Sequence, residues 1–273
     1  MIAAPMRIGR VSRALLPLLV LFATGAAAQN ARELIDESLR RHVLPPYVYQ
    51  EQTLVLGDSL GQNTVRTLRY YARRDANGTK RLAVINTPEE LRGMAVLITR
   101  DAKGGDRHGP APASPLFGSN LTVADFEGEQ PADFTYEFEE GQDLDRVSHH
   151  VLKATPKDAD ISRATGYGVR RLYLRKDNLF LSRVDTLDRQ GRLARRLTFR
   201  DTRPDENGVW RAGMILAEDL REERRTLLKV DRRVHSADYV PDSVFGQLRG
   251  QLREQSREQS RRELRSELRQ GLQ

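Results

Sequence analysis

The chain has 273 residues, no cysteine and a formal net charge of +7. The missing thiols exclude a disulfide framework, thiolate metal sites, a cysteine nucleophile and a lipid attached to an N-terminal cysteine. The positive charge sits at the ends: three arginines without an acid in 1–28, and seven arginines against four glutamates in 249–273, leave +1 for 29–248, which argues against a nucleic-acid binder.

Arg7, Arg10 and Arg13 precede the short apolar run ALLPLLVLFAT and then GAAAQN. A positive start, an apolar middle and a small-residue close form the plan of a secretory signal peptide, here cleaved after Ala28. The run is shorter than the ~20 residues a membrane span requires. The expected organisation is a signal peptide over 1–28, one folded domain over 29–248 and a charged tail over 249–273. The expected location is the periplasm, reached by a Sec-type route, with the mature chain soluble and not lipid-anchored.

NARELIDESLRRHV (Asn30 to Val43) places Ala31, Leu34, Ile35, Leu39 and Val43 at three- and four-residue spacing, which predicts an amphipathic helix stopped by Pro45-Pro46. The period then changes. YVYQEQTLVL, NTVRTLRYYARR, RLAVIN and GMAVLITR are strand-like runs separated by GDSLGQ, DANGTK and TPEELR. Asn77-Gly78 is a strong hairpin signal.

The words Gly57-Asp58-Ser59-Leu60 spell the nucleophile signature of one large group of esterases and lipases. A nucleophilic serine needs a histidine base, an orienting acid and oxyanion donors. The blocks that supply these groups in such hydrolases, Gly-x-Asn-Asp and Asp-x-x-His, do not occur, and a strand rather than a helix follows the serine. Ser59 therefore reads as a turn residue, and no catalytic residue is expected.

DAKGGDRHGPAPASP (Asp101 to Pro115) has no apolar period and reads as a long surface loop. A meander of seven further strand-like runs follows, from FTYEFEEG to RTLLKVDRRVHS. His149-His150 would point to opposite faces of a strand, so they do not chelate one ion. Neither a metal nor a cofactor is expected. The tail RGQLREQSREQSRRELRSELRQGLQ spaces Leu264, Leu268 and Leu272 by four but leaves 255–262 without an apolar residue. It reads as a solvated helix or a disordered extension, with a docking helix as the other reading.

About eleven strands and one long helix predict a mainly β (α+β) fold: a large, curved antiparallel sheet. Leu172, Leu174, Leu197, Phe199, Trp210, Met214 and Leu216 fall on a period of two along their strand-like runs. They are core residues beneath the helix, or the lining of a ligand cavity. A helix of fourteen residues is about 21 Å long and cannot cover so wide a sheet alone. Either loops fill the remainder or the apolar face holds a ligand.

SPLFGSNLTVADFEG (Ser114 to Gly128) is the most distinctive stretch. With LRGMAVLITRD upstream, the hairpin around LDRQGRLARRLTF and the close YVPDSVFGQL, it resembles the LolA-like outer-membrane lipoprotein-sorting proteins, in particular the branch often associated with RND- or MMPL-type exporters. Asn120 stands where that phrase usually has aspartate. The resemblance implies a LolA/LppX-like half-barrel whose concave side, closed by covering helices, binds the acyl chains of a lipoprotein or lipid and shuttles them toward the outer membrane without catalysis. It makes the seven apolar residues candidate cavity lining and the loop 101–115 a candidate rim or lid. Contact with membranes would be transient. The alternative is an accessory subunit that carries nothing and docks to an inner-membrane RND/MMPL-type exporter.

Overall fold

The computed structural model describes residues 30–102, 106–188 and 190–246; the expected signal peptide and tail lie outside the described residues. The expected first helix is present as α1, over 30–41. Ala31 and Ile35 are buried along one side. Arg32 pairs with Asp36, and Arg41 with Glu37, on the other.

Each of the eleven strand-like runs is a strand, and one more is added. In chain order they are β1 (Tyr47–Gly57), β2 (Asn63–Asp75), β3 (Gly78–Thr87), β4 (Ala95–Asp101), β5 (Arg107–His108), β6 (Phe134–Leu144), β7 (Val147–Pro156), β8 (Arg170–Arg175), β9 (Leu181–Leu187), β10 (Leu193–Pro204), β11 (Trp210–Asp219) and β12 (Arg224–Val234). The addition is β5, two residues inside the stretch expected to be loop. Composition could not reveal it, because two residues have no period.

All the strands form one antiparallel, curved and unclosed sheet in the order β5-β4-β3-β2-β1-β12-β11-β10-β9-β8-β7-β6. Chain neighbours pair except β5 and β6, β7 meets β8 across a connection that carries a short helix (Ala159–Thr165), and β1 pairs with β12. The one break in the circle therefore falls between β5 and β6, where the chain leaves the sheet and later re-enters it. Glycine is required in the β2–β3 turn: Gly78 has φ of +127°, and a Cβ there would lie 2.0 Å from the Arg100 carbonyl oxygen. The Gly-Asp-Ser-Leu word forms the β1–β2 turn. Its Asp58 carboxylate accepts from the amides of Leu60 (2.9 Å) and Gln62 (2.8 Å), and Ser59 is exposed. Among the described residues lining the surface pocket beside Ser59 there is no histidine.

The two faces of the sheet are covered by different parts of the chain. On the inner face, Leu54, Leu152, Leu172 and Leu228 form one core with Ala31 and Ile35 of α1. On the outer face of β1–β4, Tyr49 and Leu82 pack with Val240 and Phe245, which follow the last strand. The words YVPDSVF are thus a clasp over the outer face. Its Asp242 pairs with Arg73 of β2 at 2.5 Å and with Lys80 of β3 at 3.5 Å. Among the described residues no helix is long and apolar enough to cross a membrane.

Candidate functional site

The stretch 109–133 joins β5 to β6 by crossing the inner face of the sheet. Its first part, through Pro115, is largely exposed. From Leu116 it turns inward: Leu116, Phe117, Leu121, Val123 and Ala124 are buried in the same core as α1 and the inner strands. A tight loop makes this possible. Pro115 and Thr122 form a bridge, the Leu116 amide donates to the Leu121 carbonyl at 2.7 Å, and Phe117 sits in the left-handed region with φ of 53°. A short helix, α2 (Val123–Glu127), then starts from a capping box. The Asp125 amide donates to Thr122 Oγ1 (3.2 Å), and the Thr122 amide donates to Asp125 Oδ2 (2.7 Å). The words LFGSNLTVADF therefore encode a plug.

Backbone contacts anchor the plug to strands far away in sequence. The Arg66 guanidinium on β2 donates to the Phe117 carbonyl. The Asn120 amide donates to Thr226 Oγ1 at 3.0 Å, and its carbonyl accepts from Arg195 Nη2 at 2.7 Å. These are main-chain groups of Asn120, so the plug does not depend on an aspartate at that position.

Three acids, two residues apart, complete the attachment. Asp125 accepts from Arg195 of β10 and from the Tyr167 hydroxyl. Glu127, almost fully buried, meets Arg107 of β5 at 2.9 Å and Arg100 of β4 at 3.2 Å. Glu129 takes two bonds from Arg170 of β8, at 2.8 and 2.9 Å, and one from the Tyr136 hydroxyl at 2.5 Å. The Arg170 guanidinium also lies 4.1 Å from the Phe134 ring centroid and 4.6 Å from that of Tyr167.

Burial alone would raise the Asp125 pKa. The charge and hydrogen bonds of Arg195, with those of Tyr167 and Thr122, outweigh it and hold the carboxyl below its ordinary value. Burial and the adjoining carboxylates push the Tyr167 and Tyr136 hydroxyls up, so both remain protonated donors. A depressed carboxyl pKa gives stability that is present above the unfolded group's pKa and lost as pH falls through the folded one. Amide exchange, corrected for intrinsic rates, should therefore be equally slow in 116–128 at pH 7 and about pH 5, and should accelerate below about pH 4. Equal protection at pH 7 and about pH 3 would show that the Asp125 pair does not hold the plug.

The expected lining residues divide between the two faces. Leu172, Leu174 and Leu197 are buried in the inner core, and Phe199 packs against it. On β11 the inner side chains are Ile215 and Ala217, which pair with Phe199 and Leu197. Alternation then puts Trp210, Met214 and Leu216 on the outer face. Leu216 pairs with Leu227 there, and Arg175 lies 4.9 Å above the Trp210 ring. The inner face includes Leu54, Leu68, Ile85 and Ile98 from β1–β4 as well, none of which was singled out from sequence. Their signal was available as the same period of two, but the choice of face was not. His149 and His150 do lie on opposite faces: His149 meets Ser182 Oγ at 2.7 Å, and His150 pairs with the inner Leu174. Among the described residues no three metal-ligating side chains converge.

A family model described as "-like: Uncharacterized protein" matches residues 108–249, from β5 through the outer clasp. No curated protein matches the chain. Solved structures share its architecture. A DUF1329 family protein from Desulfovibrio piger ATCC 29098 superposes with a TM-score of 0.68 at 18% identity, over 80% of this chain and 98% of that one. A domain named for outer membrane lipoprotein sorting, from Vibrio parahaemolyticus, gives 0.66 at 18% identity, over 76% and 92%. A LolA superfamily protein from Nitrosomonas europaea gives 0.59 at 16% identity, over 79% and 96%. The shared feature is the curved, unclosed antiparallel sheet of the LolA-like half-barrel.

Proposed function

Because the chain belongs to the family whose model spans 108–249 and has the LolA-like half-barrel fold, we propose that it is a carrier that binds acyl chains against the inner face of its sheet. The observation that carries this reading is how that face is covered. Among the described residues, a wide apolar surface contributed by every strand but β5 is closed by α1, by Ile161 of the short helix Ala159–Thr165 and by the crossing plug, and not by a second sheet. Such covers separate from the sheet without breaking a strand ladder. One structural relative is named for outer membrane lipoprotein sorting, which agrees with a lipoprotein or lipid as cargo and with work in the periplasm after export.

The energetics suit a carrier. Each buried methylene is worth ~0.8 kcal/mol, so acyl chains do not cross water uncovered. The bilayer offers the same burial, so the carrier must match it without greatly exceeding it. In the structure the plug occupies part of the inner face. Loading therefore requires the plug to give way, and cargo replaces its buried Leu116, Phe117 and Leu121. No side chain has to react in this scheme. The alternative, a subunit that docks to an exporter and carries nothing, rests on the tail, which lies outside the described residues.

The test is native mass spectrometry of the protein purified from its own periplasm, with extraction of what co-purifies. A stoichiometric lipid or acylated peptide is expected. A mass that remains that of the bare chain after incubation with a membrane lipid extract would remove the carrier reading. A stapled variant adds the mechanism. The Asn120 amide donates to Thr226 Oγ1 at 3.0 Å, so these two residues are neighbours across the contact between plug and sheet. The chain has no other thiol to interfere. Asn120→Cys with Thr226→Cys is expected to block loading when oxidised and to recover it on reduction. Unchanged loading by the oxidised form would mean that the plug does not move.

A further inference from the structure

The inner end of the half-barrel, beside the gap between β5 and β6, is cationic, and the plug is what neutralises it. Arg100, Arg107, Arg170 and Arg195 come from β4, β5, β8 and β10, and each finds its carboxylate within the five residues 125–129 of the crossing stretch. Three of these arginines, Arg100, Arg107 and Arg170, line one cavity of about 220 Å³, together with Glu127, Glu129 and the apolar Phe134, Ile161 and Ala164. Arg170 is only 4% exposed, and its Nε is buried without a hydrogen-bond partner; the Nε of Arg100 is in the same condition. The cavity thus sets guanidinium groups beside an apolar wall.

This arrangement constrains what can displace the plug, given the carrier reading above. When the plug leaves the inner face it takes its acids with it. A neutral lipid would fill the apolar space and leave buried guanidinium groups unpaired, which is strongly unfavourable. An oxyanion restores the balance, because the planar guanidinium fork matches phosphate and carboxylate in two-bond geometry. We propose that the cargo is an anionic amphiphile whose headgroup oxyanion is bound by Arg100, Arg107 and Arg170 in place of Glu127 and Glu129. The plug is then an internal mimic of the cargo: apolar side chains stand for the acyl chains and carboxylates for the head.

Native mass spectrometry with three probes tests this: dioleoyl phosphatidylglycerol, dioleoylglycerol with the same chains and no charge, and glycerol 3-phosphate with the charge and no chains. Phosphatidylglycerol should bind about tenfold or more tightly than dioleoylglycerol, the factor one charge-assisted hydrogen bond is worth, and glycerol 3-phosphate should not bind measurably. Equal binding of the two lipids would overturn the proposal and leave the carrier reading standing. Tight binding of glycerol 3-phosphate would overturn it in favour of a soluble phosphate ligand. Binding of none would remove both readings. Arg170→Gln combined with Glu129→Gln removes both charges of one pair, so neither is left buried alone. This variant should fold and keep dioleoylglycerol binding while losing most of the preference for phosphatidylglycerol. A folded variant that keeps the full preference would show that the head does not sit at Arg170.

Discussion

Asp125→Ala is expected to lower the unfolding free energy by about 3–5 kcal/mol, the range for removing one partner of a buried ion pair. The size follows from what is left behind. Arg195 would keep its bond to the Asn120 carbonyl but lose its only carboxylate among the described residues, and the Tyr167 hydroxyl would lose its acceptor. The capping box at the start of α2 would disappear as well. Urea denaturation of the wild type and the variant measures the loss. Asp125→Asn with Arg195→Gln removes both charges and leaves two polar side chains, so no charge is buried alone, and should recover much of it. A loss below about 1 kcal/mol for Asp125→Ala, the level of an exposed pair, would mean that the plug is not held by this contact.

Leu172→Ala is expected to cost about 2–5 kcal/mol, as fully buried leucines do when a cavity is left. Leu172 is wholly inaccessible on β8 and packs in the inner core. The same change at Leu216, on the outer face beside Leu227, should cost about 1 kcal/mol or less. The pair of variants also separates the two faces functionally. Lipid loading should fall for Leu172→Ala and stay unchanged for Leu216→Ala. Equal effects on loading would remove the inner face as the binding surface.

Much of this architecture could be read along the chain. Short runs rich in branched and aromatic residues, set off by turn residues, mark eleven of the twelve strands, because a strand exposes its pattern locally. The first helix is equally plain from its spacing. The Gly-Asp-Ser-Leu word is resolved by composition too: Asp58 bonds amides two and four residues on, a contact that local sequence specifies. The segment 114–128 stands out only as a family phrase. Its spacing does not reveal that it is buried, since its turns and five-residue helix are too short to show a period.

The candidate site was legible only in part, and the reason is geometric. A period of two says that Trp210, Met214 and Leu216 share one face of β11, and that Leu197 and Phe199 share one face of β10. It does not say that these are opposite faces, because that depends on register with neighbouring strands and on which side α1 lies. The ion pairs are further still from sequence reach. Arg195 lies 70 residues from Asp125, and Arg170 lies 41 from Glu129. By itself, then, the sequence determined the strands, the helix, the turns and the absence of thiol chemistry, all of which follow from forces between residues near one another in the chain. Only the tertiary structure decided which face is inside, that the segment after the exposed loop, from Leu116 onward, becomes the plug of the half-barrel, and that its three acids neutralise arginines on four strands. Those outcomes depend on burial and charge pairing between segments that meet in space alone.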